Sequence, residues 1–187
     1  MDYEKYIEKL MSPKRYRHSL GVRDMAVSLA EKYGADKEKA YLAGLLHDVV
    51  KDFSYEEMID YANKNGFKLE EFIIKEPKLL HAVVGAYYVK LELGIDDPEI
   101  FDAIYYHTTS KAEMPLLTKI IYIADAIECN RDYPEVESIR KKAFEKLDEA
   151  IFMVLKYTIL KLVSSNRMLH TETVNAMNHF LMKGCKI

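Results

Sequence analysis

Apolar residues recur at helical spacing along almost the whole chain, and the period-two alternation that marks half-buried strands is nearly absent. A chain patterned this way is expected to fold as an all-α helical bundle. No repeat, low-complexity run or Gly/Ser-rich linker divides it, so residues 1–187 read as one domain. Hydrophobic residues make up 49% of it, enough to bury a sizeable core.

The punctuation places the helices. A first strong helix is expected over residues 13–33, ending before Gly34, with Val22, Met25, Leu29 and Tyr33 as its apolar stripe and His18 one turn upstream on the same stripe. A second, over residues 37–50, is apolar nearly all round and carries His47 and Asp48 in its last turns. Ser54 followed by Glu57 reads as a capping box for a helix stopping near Gly66, and a further turn or two is expected at residues 69–75. Pro77 opens a helix through residue 93 with His81, Val84, Gly85, Tyr88 and Leu91 on one face. Asp97-Pro98 caps a helix leading to His107. The next, over residues 115–129, lines up Leu117, Ile121, Ala124, Asp125 and Glu128, and the remainder reads as one long helix over 134–163 and a short one over 171–183.

Five of these helices each place an ionisable side chain on the face that should be buried, and a buried charge without a partner is costly enough that it must be paired or bound to metal. A single core histidine is more often a satisfied structural residue than a ligand. His18, His47, His81 and His107 together with Asp48 and Asp125 make a metal site the better reading. Imidazole and carboxylate without thiolate suit iron, manganese, cobalt, nickel or zinc. Six such groups are too many for one catalytic ion with an open position, but they suit two ions sharing a carboxylate, an arrangement suited to phosphoryl chemistry.

Arg17, Lys51, Lys111 and Arg131 flank these residues and are candidates for phosphate oxygens, with Lys51 foremost and Lys111 better read as a surface charge. Glu128 reads either as a carboxylate orienting a ligand or as a solvated residue at a helix end. His170 and His179 lie in polar or terminal contexts and read as non-ligands. The formal net charge of -3 comes without a basic stripe, which disfavours duplex nucleic acid. Two cysteines far apart disfavour a disulfide framework, and no stretch reaches membrane-spanning length, so a soluble, cytoplasmic protein is expected, without a membrane partner.

The order of His18, His47-Asp48 with Lys51, His81, His107-Thr108 and Asp125 resembles the HD superfamily of metal-dependent phosphohydrolases, and more closely the YqeK family. The segments carrying the likeness are Arg17 to Val22, Gly44 to Asp48, Leu80-His81, Tyr106 to Thr109, Ile123 to Asp125 with Glu128, and Asn130 to Pro134. The resemblance implies hydrolysis of symmetrical dinucleoside tetraphosphates, such as diadenosine tetraphosphate, to two nucleoside diphosphates. It implies an iron-containing dinuclear centre, with His18, His47, Asp48 and Asp125 on one ion and Asp48, His81 and His107 on the other. Asp48 and Lys51 would be catalytic, and Arg17, Lys51, Thr108, Thr109, Glu128, Arg131, Tyr133 and Asn178 would contact substrate. A second copy of the chain is a further candidate partner. Ser110, Ala126 and Cys129 depart from the family's commoner glycine, aromatic residue and proline, which touches pocket shape more than metal binding. Three other readings stand beside this one: a di-iron oxygenase on the same framework, a non-catalytic nucleotide-binding module, and a cyclic-dinucleotide phosphodiesterase, disfavoured because no Gly-Tyr-Pro follows the His-Asp pair.

Overall fold

The structure, a computed structural model, describes residues 1–185. Among them are eleven helices and no strand: α1 (Tyr3–Leu10), α2 (Pro13–Tyr33), α3 (Lys37–Leu46), α4 (Tyr55–Asn65), α5 (Glu71–Lys75), α6 (Pro77–Leu91), α7 (Pro98–Tyr105), α8 (Leu116–Ile127), α9 (Val136–Glu145), α10 (Leu147–Ser164) and α11 (Thr171–Met182). No helix among them is long and apolar enough to cross a membrane. The short α1, which the apolar pattern does not single out, is capped by Asp2 and buries Ile7.

Local chemistry sets most boundaries as expected. Ser12 caps α2 with Pro13 at its first position, and Gly34 ends it at φ 72°, a left-handed conformation that glycine adopts without steric cost. Ser54 and Glu57 form the capping box of α4 in both directions. Asp97 caps α7 by accepting from the Glu99 and Ile100 amides.

α8 is the central element, packed against α2, α3, α7, α9 and α10. It buries Leu117, Thr118, Ile120, Ile121, Tyr122, Ile123, Ala124 and Ile127, so Asp125 is a carboxylate on a helix enclosed on nearly every side. α2 and α3 pack so closely that a Cβ on Gly44 would lie 2.9 Å from the Arg23 Cα. That contact holds the helix carrying His18 against the one leading to His47.

Two expected helices end differently. The second stops at Leu46, not at residue 50, and His47 to Phe53 continue as tight turns bonded three residues back, such as Lys51 N–H to the Asp48 carbonyl at 2.9 Å. The cause is His47 itself, whose Nδ1–H donates to the Gly44 carbonyl at 2.8 Å, the acceptor the next helical amide would have used. The helix expected over 134–163 is two, broken at Lys146 (φ -149°, ψ 94°). There the Tyr33 hydroxyl donates to the Ala143 carbonyl at 2.7 Å. A tyrosine from α2 thus occupies the carbonyl that would have accepted from the residue 147 amide in a continuous helix.

Candidate metal centre

Five segments bring the six candidate ligands together. His18 comes from α2, His47 and Asp48 from the turn after α3, His81 from α6, His107 from the turn after α7, and Asp125 from α8. All are buried except Asp125, whose side chain is 22% exposed at one side of the cluster. His107 repeats the device seen at His47: it follows the last turn of its helix and donates Nδ1–H to the Ile104 carbonyl three residues back, at 2.6 Å. A histidine held this way has its Nε2 lone pair fixed toward the cluster. His18 reaches the same state through a carboxylate, its Nδ1–H lying 3.1 Å from Glu128 Oε1.

The Nε2 atoms converge on Asp48. Asp48 Oδ1 lies 3.0 Å from His81 Nε2 and 3.6 Å from His107 Nε2. Asp48 Oδ2 lies 3.6 Å from His18 Nε2 and 3.5 Å from His47 Nε2. Asp125 Oδ1 is 3.0 Å from His18 Nε2 and 3.8 Å from His47 Nε2. The carboxylate of Asp48 therefore turns one oxygen to each of two histidine pairs. Within the first pair, His18 Nε2 and His47 Nε2 stand 3.3 Å apart. Both rings carry their proton on Nδ1, so the facing atoms are two lone pairs beside two carboxylates. Such a set is repulsive unless positive charge lies among it, and the groups His18, His47, Asp125 and His47, Asp48, His107 are spaced to bind an ion.

Electrostatics keep three of these donors ready, His81, Asp48 and Asp125. Burial lowers the His81 pKa to about 4 against the opposing pull of Asp48, so its imidazole is neutral at pH 7. Burial alone would raise the Asp48 carboxyl, but the field of His47 and the close approach of the other imidazoles hold it well below the usual carboxylate range. Asp125 is held low in the same way by His18 and by Arg131, whose Nη2 lies 2.5 Å from Asp125 Oδ1.

The flanking candidates divide. Lys51 Nζ lies 2.8 and 3.0 Å from the two ring nitrogens of His81. Arg131 binds Asp125 through both its side chain and the Asp125 carbonyl. Arg17, by contrast, is exposed and makes no ion pair with the cluster among the described residues. The arginine that reaches in is Arg15, with Nη1 2.5 Å from Asp48 Oδ2 and Nε buried without a partner. Helical spacing could have found it, because residues 15 and 18 share a face of α2 and residue 17 does not. Lys111 pairs with Asp102 at 2.7 Å. Asn178 is exposed on α11 and does not line the cleft beside the cluster.

Glu128, read above both as a carboxylate that could orient a ligand and as a substrate contact, lies against His18. It is 1% exposed, and its second oxygen accepts from the Asn130 amide at 2.7 Å and the Asn130 side chain at 2.8 Å. The carboxylate rests on Gly21, where a Cβ would come within 2.4 Å of Oε2. We expect Gly21→Ala to push it off His18 and weaken metal binding roughly ten- to a hundredfold, the usual cost of losing a partner behind a ligand. Metal titration of the two proteins checks this, and equal affinities would show that the contact is dispensable.

Beside the cluster opens a cleft of about 580 Å³ lined by Lys14, His107, Thr108, Tyr122, Asp125, Ala126, Arg131, Tyr133, Tyr157 and Lys161, among others. Thr108 and Tyr133 thus face it. Thr109 is turned inward, its carbonyl accepting from Thr173 at 2.7 Å. Ser110 has φ 58°, which explains why glycine would suit this position. Ala126 lines the cleft, and Cys129 is exposed next to the Glu128 support. His170 caps α11 and His179 lies on that helix, both apart from the cluster.

A helical bundle that supplies a lone histidine, an adjacent His-Asp pair, two further histidines and a last aspartate in this order defines a class: the HD domain model matches residues 15–130, and the chain belongs to that family. Its relatives narrow the placement. It is 39% identical, over 92% of both chains, to a symmetrical bis(5'-nucleosyl)-tetraphosphatase of Halalkalibacterium halodurans, and 38% identical over the same shares to that of Bacillus subtilis. The crystal structure of a predicted HD superfamily hydrolase involved in NAD metabolism, from Clostridium acetobutylicum, is 40% identical and matches with a TM-score of 0.93 over 97% of this chain and 96% of that one.

Proposed function

We propose that this protein is a metal-dependent hydrolase that cleaves symmetrical dinucleoside tetraphosphates at the central anhydride, converting diadenosine tetraphosphate and water to two ADP. The observation that carries the reading is Asp48, whose two oxygens face separate histidine pairs as a bridging carboxylate would. His18, His47, Asp125 and Asp48 Oδ2 would hold one ion, and His81, His107 and Asp48 Oδ1 the other, with iron expected and manganese, cobalt, nickel or zinc compatible with the donors. Ions held there supply an activated water and neutralise charge developing at phosphorus.

The chain's own residues do the rest. Arg131, Lys14 and Lys161 line the cleft and bind polyphosphate oxygens. Arg15 offers its unpartnered Nε, and Lys51 its amine, beside the reacting phosphoryl group. The incoming oxygen bonds to one inner phosphorus, the bridging P–O bond breaks, and the departing ADP keeps the bridging oxygen. Glu128, by fixing His18, acts through that ligand and does not touch substrate.

Chromatography of the products of diadenosine tetraphosphate decides between assignments. ADP as the sole nucleotide product is expected, without uptake of dioxygen. AMP with ATP would overturn the symmetrical assignment, and oxygen consumption in step with turnover would favour an oxygenase.

A further inference from the structure

Cleavage at the central anhydride parts two ADP units, one on each side of the bridging oxygen, so a substrate of this kind needs room for two nucleosides. A second groove adjoins the cleft beside the cluster. Tyr157 and Lys161 line the cleft and also line this groove of about 850 Å³, whose other walls are Glu135, Ser138, Met153, Lys156, Leu160 and Ser164. Met153, Lys156, Tyr157, Leu160, Lys161 and Ser164 fall three, four, seven, eight and eleven residues along α10, one continuous stripe of that helix.

The stripe combines what a nucleotide arm requires. Tyr157 packs at 4.8 Å on Tyr133, which lines the cleft, so the two rings stand where the two cavities adjoin. Lys161 lies 5.8 Å over the Tyr157 ring, and Lys156 flanks it, giving two cations beside an aromatic face. Leu160 is 59% exposed, an apolar surface next to the same ring. Aromatic faces with neighbouring cations bind bases and their phosphates with little regard to base identity.

We infer that this groove along α10 is the subsite for one nucleoside of the substrate, with its base against Tyr157 and Leu160 and its phosphates passing Lys161 toward the metal centre. The inference rests on the tetraphosphatase reading and adds to it where one arm goes. It assigns Tyr157 a specificity role that no metal ligand shares.

The test compares diadenosine tetraphosphate with inorganic tetraphosphate, which has the same phosphate chain and no nucleoside. Tyr157→Ala is expected to raise KM for the dinucleotide roughly ten- to a hundredfold, the range for losing one stacked base, with a much smaller change in kcat. Its inhibition by inorganic tetraphosphate should stay as in wild type, and Tyr157→Phe should restore KM. Leu160→Asp, at an exposed position that does not line the metal cleft, should raise the same KM without altering metal content. An unchanged KM in both Tyr157→Ala and Leu160→Asp, or a loss of tetraphosphate inhibition equal to the rise in KM, would overturn the subsite. Wild-type protein that releases no ADP from diadenosine tetraphosphate would overturn the tetraphosphatase reading and the subsite with it.

Discussion

Asp48→Ala is expected to lose both ions and to slow turnover on the order of a thousandfold, whereas His81→Ala should empty only one of the two positions. The difference follows from geometry. Asp48 Oδ1 faces His81 and His107, and Oδ2 faces His18 and His47, so removing this carboxylate takes a donor from each set and the negative charge from between two cations. His81 has its Nε2 near Oδ1 and His107, on one side only. Asp48→Ala also leaves Arg15 without its 2.5 Å partner inside the site. Because an ion that binds only the folded state adds to stability by mass action, wild-type protein should melt at a higher temperature with metal than without, and Asp48→Ala should lose most of that dependence. Metal analysis per chain is the measurement. One ion per saturated wild-type chain, or equal metal loss in the two variants, would rule out a bridged centre.

Lys51→Ala should keep both ions and still slow hydrolysis roughly ten- to a thousandfold, the range for removing one electrostatic contact to developing charge. The turn after Asp48 fixes the lysine, through its amide bonded to the Asp48 carbonyl at 2.9 Å, and aims its amine at His81. Burial holds its pKa below the ordinary lysine value against the opposing pull of Asp48, and the amine sits at the edge of the cluster against His81 and not free in solvent. Charge, not bulk, is the expected cause, so Lys51→Met should be as slow as Lys51→Ala although it fills the same space. Turnover measured at saturating metal separates the cases: an unchanged rate in either variant would leave Lys51 with no part in the reaction.

Much of this arrangement was legible in the chain itself, because it depends on near neighbours. Helical periodicity, the caps at Ser54 and Asp97 and the glycine stop at Gly34 are set within a few residues, and the structure keeps them. The convergence of four histidines and two aspartates was readable for a related reason: an ionisable group on an apolar stripe has to meet its counterpart inside. Arg15 was within reach of the same spacing, one turn before His18, and Arg17 drew attention instead because it adjoins that histidine in sequence.

What the sequence determined by itself was therefore the all-α class, most helix starts and which side chains point inward. Only the tertiary structure decided the rest. The break at Lys146 has no glycine or proline to announce it; it comes from a tyrosine more than a hundred residues earlier that takes the Ala143 carbonyl. Glu128 became a support for His18 because Gly21, on another helix, leaves space for its carboxylate. Asp48 acquired two faces because α6 and the turn after α7 bring His81 and His107 to one oxygen while α2 and the turn after α3 bring His18 and His47 to the other. Periodicity along one helix fixes direction, but a hydrogen bond or a shared carboxylate needs two elements at a set distance, and that distance exists only once the helices have packed.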